Sequence, residues 1–192
     1  MLFDVTKLKQ CGQDVRISDQ VCIRSPHLVS VGDHVAIDSF THITTALELG
    51  NYIHIGPHVS IIGGSKTAFI MRDFAAVAAG CRIICASDEV ILGTGIAAPF
   101  VPARFRNVVR SAPVIMEKHS VLFTNCVVMP GVRLGEGAVA AACSVIKEDL
   151  EPWTVYQGDP AVAVCRRRSK HVLELEAELL AETRAERQGQ GR

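Results

Sequence analysis

The chain has 192 residues, the length of a single domain, and 48% of them are hydrophobic, so a packed core can form. Twenty lysines and arginines balance twenty aspartates and glutamates, and this net charge of zero argues against nucleic acid or a membrane surface as the partner. The seven cysteines form no close pair, and neither a signal peptide nor a membrane span is evident, so we expect reduced core thiols and a cytoplasmic location.

Apolar residues recur at every sixth position over much of the chain. The series are Cys11, Ile17, Ile23; Val31, Ile37, Ile43, Leu49, Ile55, Ile61; Met71, Val77, Ile83; and Met116, Leu122, Val128, Leu134, Ala140, Ile146. A period of six matches neither the α-helix nor the alternating strand. It matches a short strand and a turn, three of which close a triangular coil of about 18 residues. The sequence therefore predicts an all-β, hexapeptide-repeat parallel β-helix.

Three interruptions and a change of pattern define the organisation of the chain. The predicted coils lie near 11–28, 31–48, 49–66, 71–88, 116–133 and 134–151, with register breaks near 29–30, 67–70 and 89–115. The last break is a long loop insertion, a kind of segment that is usually functional or an oligomer contact. We therefore expect a β-helix domain over 1–161. Residues 162–192 are rich in helix formers, which predicts a C-terminal helix followed by a frayed tail.

The segment 113–168 resembles the C-terminal half of hexapeptide-repeat acetyltransferases. The resemblance is carried by Met129-Pro130-Gly131-Val132, Gly135-Glu136-Gly137 and Val155-Tyr156-Gln157-Gly158-Asp159-Pro160-Ala161. It is similar to galactoside, maltose and xenobiotic O-acetyltransferases and to acetyltransferases of bacterial surface-sugar pathways. The resemblance implies a left-handed β-helix, a homotrimer, and acetyl-CoA as the co-substrate. It implies transfer of an acetyl group to a sugar or nucleotide-sugar hydroxyl or amine, in surface-polysaccharide or nucleotide-sugar biosynthesis.

The same resemblance implies where the two substrates bind. Coenzyme A would lie in the groove between adjacent prisms, beside the last coils. The matching positions here are Ala141, Ala142, Ser144, Lys147, Pro160 and Ala161. Further outward-facing or loop residues are candidate contacts to the acceptor: His42, His58, Arg104, Arg106, Asn107, His119 and Asn125. Arginine suits such a contact because its fork of donors matches a phosphate or carboxylate.

The general base does not follow from the resemblance, because the sugar O-acetyltransferases place a His where this chain has Asp88. Either Asp88 replaces or orients the base, or the base lies elsewhere. His54 is the best substitute, since histidine has a near-neutral pKa. Its segment Tyr52-Ile53-His54-Ile55-Gly56-Pro57 resembles the His-Ile-Ala-Pro segment of amino-sugar N-acetyltransferases. In a trimer, His54 of one subunit and Asp88 of its neighbour could share one site.

Two other functions suit the same fold. A γ-type carbonic anhydrase would hold zinc on three histidines at a subunit interface, but His54 and His58 are too close in sequence for that family's spacing, and we predict no metal. A non-enzymatic scaffold is the second alternative, because fold does not fix function. Coenzyme A binding distinguishes the enzyme from the scaffold.

Overall fold

The computed structural model describes residues 2–98 and 100–189. Six successive coils each contribute one strand to three parallel sheets, which confirms the predicted parallel β-helix. The coils comprise β1 (Gln10–Cys11), β2 (Arg16–Ile17), β3 (Cys22–Ile23); β4 (Val29–Val31), β5 (Val35–Ile37), β6 (His42–Ile43); β7 (Ala46–Leu49), β8 (Ile53–Ile55), β9 (Ser60–Ile62); β10 (Ala68–Met71), β11 (Ala76–Val77), β12 (Arg82–Ile84); β15 (Val114–Met116), β16 (Val121–Leu122), β17 (Val127–Val128); and β18 (Arg133–Leu134), β19 (Val139–Ala140), β20 (Val145–Ile146).

The core is built by stacking hexad residues directly on one another. Ile55, for example, pairs in parallel register with Ile37 in the preceding coil and with Val77 in the following one. The long hexad series from 31 to 61 and from 116 to 146 are buried throughout. Because each coil has three sides, an interval of six residues returns the apolar side chain to the interior on every side.

One corner of the prism carries a column of aromatic rings. His34, Tyr52, Phe74 and His119 occupy equivalent turns in four coils and stack with centroid separations of 4.6, 5.0 and 5.0 Å. Each has a positive φ, between 57° and 62°, which is unfavourable for side chains of this size. The stacked rings offset that cost, since offset stacking adds about 0.5–1.5 kcal/mol beyond area burial.

The insertion begins earlier than predicted. After β12 the chain forms an antiparallel hairpin of β13 (Ala86–Asp88) and β14 (Val109–Ser111), so Asp88 belongs to the insertion rather than to a coil. Between these strands lies a short 3-10 helix, Ala103–Phe105. Two other 3-10 helices, Val5–Lys7 and Pro26–Leu28, precede the first and second coils.

The C-terminal segment differs from the prediction of a helix starting near 162. β21 (Thr154–Gln157) extends the second sheet, and β22 (Val162–Arg166) returns antiparallel to it. Residues 162–166 are a strand because they pair with the exposed edge of β21, from Val162 opposite Gln157 to Arg166 opposite Thr154, and their two valines favour strands. The helix α1 spans Lys170–Gly189, so it includes the first two residues of the predicted tail, and 190–192 lie outside the described residues.

Helix α1 lies against the aromatic column. Tyr52 Oη is 3.2 Å from Thr183 Oγ1, and His119 Nε2 is 2.7 Å from Glu176 Oε2. Lys118 Nζ donates to the other Glu176 oxygen. Three apolar residues of the helix, Val172, Leu175 and Leu179, border a small cavity beside Phe74 and His119. No helix among the described residues combines the length and apolar composition that a bilayer crossing requires.

The contacts of Glu176 with Lys118 and His119, hereafter the Glu176 clasp, are buried, since the Glu176 and His119 side chains are 9% and 7% exposed. Burial alone would raise the pKa of Glu176, but hydrogen bonds and charge from Lys118 and His119 outweigh it and lower that pKa. The clasp therefore stabilises the fold above the ordinary carboxyl pKa. It is lost as the pH falls through the lowered value.

Glu176→Gln should lower the free energy of unfolding by about 1–3 kcal/mol at pH 7, because the buried His119 and the partly exposed Lys118 lose a charged acceptor. The difference from the unsubstituted protein should shrink below about pH 4, where the carboxylate becomes protonated. Denaturant unfolding across pH measures both effects. Glu174→Gln is the matched control, since Glu174 is 52% exposed and lies 3.9 Å from Lys170 and 3.6 Å from His171, both of which are exposed on the same helix. Equal stabilities of the two variants at pH 7 would contradict the clasp.

Candidate active site

Two cavities adjoin the insertion hairpin, and Asp88 lines both of them. The first, the insertion cavity, has a volume of about 470 Å³ and is lined by Asp88, Ile96, Ala97, Ala98, Phe100, Arg106, Asn107 and Val109. The second, the coil-side cavity, has a volume of about 400 Å³ and is lined by Ser87, Asp88, Glu89, Val90, Ile91, Arg110, Met129, Pro130 and Lys147. Both volumes fall in the range of small-molecule sites.

The hairpin holds Asp88 at the wall between these cavities. Asp88 pairs with Val109 across the hairpin, and the Glu89 amide donates to the Val108 carbonyl at 2.8 Å. At the base of the hairpin the Cys85 amide donates to the Ile62 carbonyl at 2.6 Å. The Asp88 side chain is exposed, so its carboxylate is available to a ligand. Burial raises the pKa of the Cys85 thiol to about 11, so this neighbouring thiol is no nucleophile near neutral pH.

The six residues that the resemblance places at the coenzyme site differ in their exposure to solvent. Lys147 lines the coil-side cavity and pairs with Asp159, 3.0 Å away. Ala142 and Pro160 are exposed, while Ala141 and Ala161 are half-buried. Ser144 is fully buried, donates to the Ala141 carbonyl at 2.6 Å and accepts from the Gly158 amide. Its hydroxyl is therefore used within the coil, and a contact between Ser144 and the coenzyme stays a prediction.

His54 projects from β8 on the second sheet, on a surface kept open by small neighbours, Ala36 and Ala76. Its Nε2 lies 2.9 Å from Oδ2 of Asp38, and both side chains are about half exposed. Within one chain the carboxylate partner of His54 is thus Asp38, not Asp88. This pair was not predicted from the sequence. It could have been, because Asp38 directly follows a hexad residue in the coil before that of His54, which places the two side chains on neighbouring coils.

The remaining candidates lie in three different places. Arg106 and Asn107 line the insertion cavity with Asp88, whereas the Arg104 guanidinium lies 4.7 Å from the ring centroid of Phe105. His42, His58 and Asn125 are exposed on the coils, and His58 stacks on Phe40 at 4.9 Å. His119 is 6% exposed, and its Nε2 lies 2.7 Å from Glu176 Oε2 on helix α1. Its contact with the acceptor stays a prediction.

Metal ligands do not converge in the described part of the chain. Across residues 2–98 and 100–189, no group of three or more His, Cys, Asp or Glu side chains is arranged to hold a metal ion.

No protein-family model matches the chain, but curated relatives and solved structures do. It is 36% identical over 172 residues to the dTDP-4-amino-4,6-dideoxy-D-glucose acyltransferase of Escherichia coli, a match that covers 88% of this chain and 87% of that one. The chain therefore belongs to the hexapeptide-repeat acyltransferase family that includes this enzyme. A shorter match of 54 residues, at 46% identity, joins it to a tetrahydropyridine-dicarboxylate N-acetyltransferase of Enterococcus faecalis, covering 28% of this chain and 23% of the relative.

Among solved structures, the chain is similar to AntD, an N-acyltransferase from Bacillus cereus. The complex of AntD with dTDP and 3-hydroxybutyryl-CoA superposes with a TM-score of 0.87 and 28% identity, covering 95% of this chain and 98% of AntD. A serine-to-alanine variant of AntD with dTDP-4-amino-4,6-dideoxyglucose and coenzyme A gives a TM-score of 0.86 at 31% identity, covering 92% and 93%. These comparisons confirm the predicted coenzyme A-dependent acyltransferase acting on a sugar.

Proposed function

We propose that the chain transfers an acyl group from a coenzyme A thioester to the amino group of a dTDP-linked 4-amino-4,6-dideoxyhexose. The position of Asp88 at the wall shared by two cavities carries this proposal. The coil-side cavity holds Lys147, which suits a phosphorylated coenzyme, and the insertion cavity holds Asp88 and Asn107, which suit an amino sugar. The donor and acceptor are inferred from the relatives, of which one acylates a dTDP-linked 4-amino-4,6-dideoxyglucose and another binds 3-hydroxybutyryl-CoA and dTDP.

The proposed chemistry needs one group that accepts a proton between the two substrates. The neutral sugar amine attacks the thioester carbonyl carbon, forming the C–N bond and a tetrahedral intermediate. A proton passes from the attacking nitrogen to the Asp88 carboxylate and then to the sulfur as the C–S bond breaks. The products are an amide and the coenzyme A thiol. An amine needs less assistance from a base than a hydroxyl, so the absence of the family's histidine at position 88 favours N-transfer over O-transfer.

His54 and its partner Asp38 form the second candidate base. His54 lies on the face of a coil and Asp88 in the insertion, so we propose a trimer in which His54 of one subunit meets Asp88 of the next. Exposed apolar side chains of the insertion support a subunit contact there, among them Ile91 and Leu92, which are 91% and 74% exposed. Seven free thiols support a reducing, cytoplasmic location. Bacterial surface-polysaccharide synthesis, including lipopolysaccharide, is the proposed pathway class.

The proposed function is tested with a panel of acceptors. Acetyl-CoA and longer acyl-CoA thioesters are offered with dTDP-linked 4-amino sugars and with their 4-hydroxy counterparts, and thiol release is followed. We expect release to depend on the amino sugar and the product to be an amide. Release driven equally by the hydroxyl sugars would instead support O-transfer, and failure to bind coenzyme A would support a scaffold.

His54→Ala should lower kcat by about 10²-fold or more if the imidazole is the base, because general-base catalysis contributes about 10²–10⁴-fold. Asp38→Asn should lower kcat less and shift the pH–rate profile, because Asp38 only orients His54. Steady-state kinetics with the amino sugar measure both variants. Gln20→Glu, an exposed change distant from His54 in sequence, serves as the control. Near-normal turnover of His54→Ala would leave Asp88 as the sole candidate.

Mixing two inactive variants tests the shared site. If His54 and Asp88 come from neighbouring subunits, co-refolded His54→Ala and Asp88→Asn chains should recover about a quarter of the unsubstituted activity, by random assortment around a ring of three. A mixture with no recovered activity would place both groups in sites formed by a single chain.

A further inference from the structure

The insertion cavity contains a buried hydrogen-bond donor with no partner. Asn107 is 6% exposed, and its Nδ2 donates to no acceptor among the described residues. Buried polar groups are nearly always satisfied, so such an atom beside a cavity indicates a missing ligand atom or an ordered water. Because Nδ2 is a donor, the missing atom is an acceptor oxygen or nitrogen.

The surrounding contacts orient the Asn107 amide. Thr94 Oγ1 accepts from the Val108 amide at 3.2 Å, and its proton lies between the Glu89 carbonyl at 3.3 Å and Asn107 Oδ1 at 3.4 Å. The carbonyl end of the Asn107 side chain therefore faces Thr94, and the NH₂ end faces away from it. The two arms of the insertion also meet closely, since the Ile96 amide donates to the Phe105 carbonyl at 2.8 Å. Gly95 permits this approach, because a Cβ there would lie 2.5 Å from the Arg106 carbonyl.

The rest of the cavity wall combines an apolar surface with one charge of each sign. Asp88 supplies a carboxylate and Arg106 a guanidinium, and the apolar surface is formed by Ile96, Ala97, Ala98, Phe100 and Val109. The cavity therefore suits a small ligand with one apolar face, one acceptor oxygen and one amine. A coenzyme A acyl chain has no amine to meet the Asp88 carboxylate.

We infer that the insertion cavity binds the hexose ring of a 6-deoxy amino sugar, with the C6 methyl on the apolar wall and a ring or hydroxyl oxygen accepting from Asn107 Nδ2. This inference rests on the proposed N-acylation and adds the residues that select the sugar. A 6-hydroxy sugar would bury its extra hydroxyl against apolar side chains without a partner, so the cavity discriminates against it.

The test compares kcat/KM for a dTDP-linked 4-amino-4,6-dideoxyhexose and for its 6-hydroxy counterpart. The unsubstituted enzyme should prefer the 6-deoxy sugar by about 10–100-fold. Val109→Thr, which replaces a methyl group by a hydroxyl on an exposed strand, should reduce that preference by about 3-fold or more. Equal kcat/KM values for the two sugars would overturn the inference while leaving N-acylation intact. An enzyme that acylates neither sugar would instead overturn the proposed function.

Asn107→Asp tests the role of Asn107 Nδ2 as a hydrogen-bond donor, because the substitution keeps the shape of the side chain and removes its NH₂ group. We expect the KM of the amino sugar to rise by about 10-fold or more and the KM of the acyl-CoA to stay unchanged. Calorimetric titration with the dTDP-amino sugar alone gives the same comparison without turnover, and thermal unfolding shows whether each variant is folded. Gln20→Glu is the matched amide-to-acid control. A folded Asn107→Asp enzyme with unchanged sugar affinity, or with both KM values raised equally, would refute the role of Asn107.

Discussion

Asp88→Asn should lower kcat by about 10²–10⁴-fold, the usual contribution of a group that accepts the transferred proton. The amide has nearly the shape of the carboxylate, so both substrates should still bind and the KM of the acyl-CoA should change little. The physical reason is the position of Asp88 between the insertion cavity and the coil-side cavity, where the amine of one ligand would meet the thioester of the other. Steady-state thiol release with the amino sugar measures the loss.

The matched control is Glu178→Gln, an exposed carboxylate on helix α1, which should leave kcat unchanged. The loss in Asp88→Asn should also persist at every pH, because an amide cannot accept the proton. A kcat within about 3-fold of the unsubstituted enzyme, far less than a transferring base contributes, would remove Asp88 from the mechanism and leave the His54–Asp38 pair.

Phe69→Ala should lower the free energy of unfolding by about 3–5 kcal/mol, the usual cost of a phenylalanine-sized cavity in a core. Phe69 is fully buried on the first sheet, between Leu47 in the preceding coil and Val114 in the following one. Coils in a solenoid contact only their neighbours. The space left by the Phe69 ring should therefore weaken the packing between the fourth and fifth coils, where the chain departs into the insertion. Urea unfolding followed by circular dichroism measures the change.

Phe123→Ala provides the control for Phe69→Ala, because the Phe123 ring is 50% exposed. Its effect on unfolding should stay below about 1 kcal/mol, as for most substitutions away from the core. Similar losses in the two variants would mean that the interior of the prism does not carry the stability of the fold.

The fold was predictable because its signal repeats. Every sixth residue from 31 to 61 is apolar in sequence and buried in the structure. Each further coil therefore adds independent support for the six-residue period. Strand 162–166 was missed because a short segment has no repeat, and helix formers further along dominated the pattern. Its strand conformation depends on pairing with β21, which is a tertiary contact.

The candidate site was predictable only as a set of residue types. His119 was expected to face the acceptor, but Glu176, 57 residues away in sequence, covers it with helix α1. The partnership of His54 with Asp38 depends on how one coil stacks on the next. The importance of Asn107 depends on which way its amide is turned, and the Oδ1 end faces Thr94, a residue that the path of the insertion brings close. These are contacts between distant segments, which local patterns do not encode.

A structure of the enzyme with coenzyme A and a dTDP-linked 4-amino-4,6-dideoxyhexose would show directly whether Asp88 lies between the two substrates. We expect the sugar amine within hydrogen-bonding distance of the Asp88 carboxylate, about 2.6–3.2 Å, and the coenzyme sulfur in the coil-side cavity. A sugar bound away from the insertion, with Asp88 touching neither ligand, would contradict it.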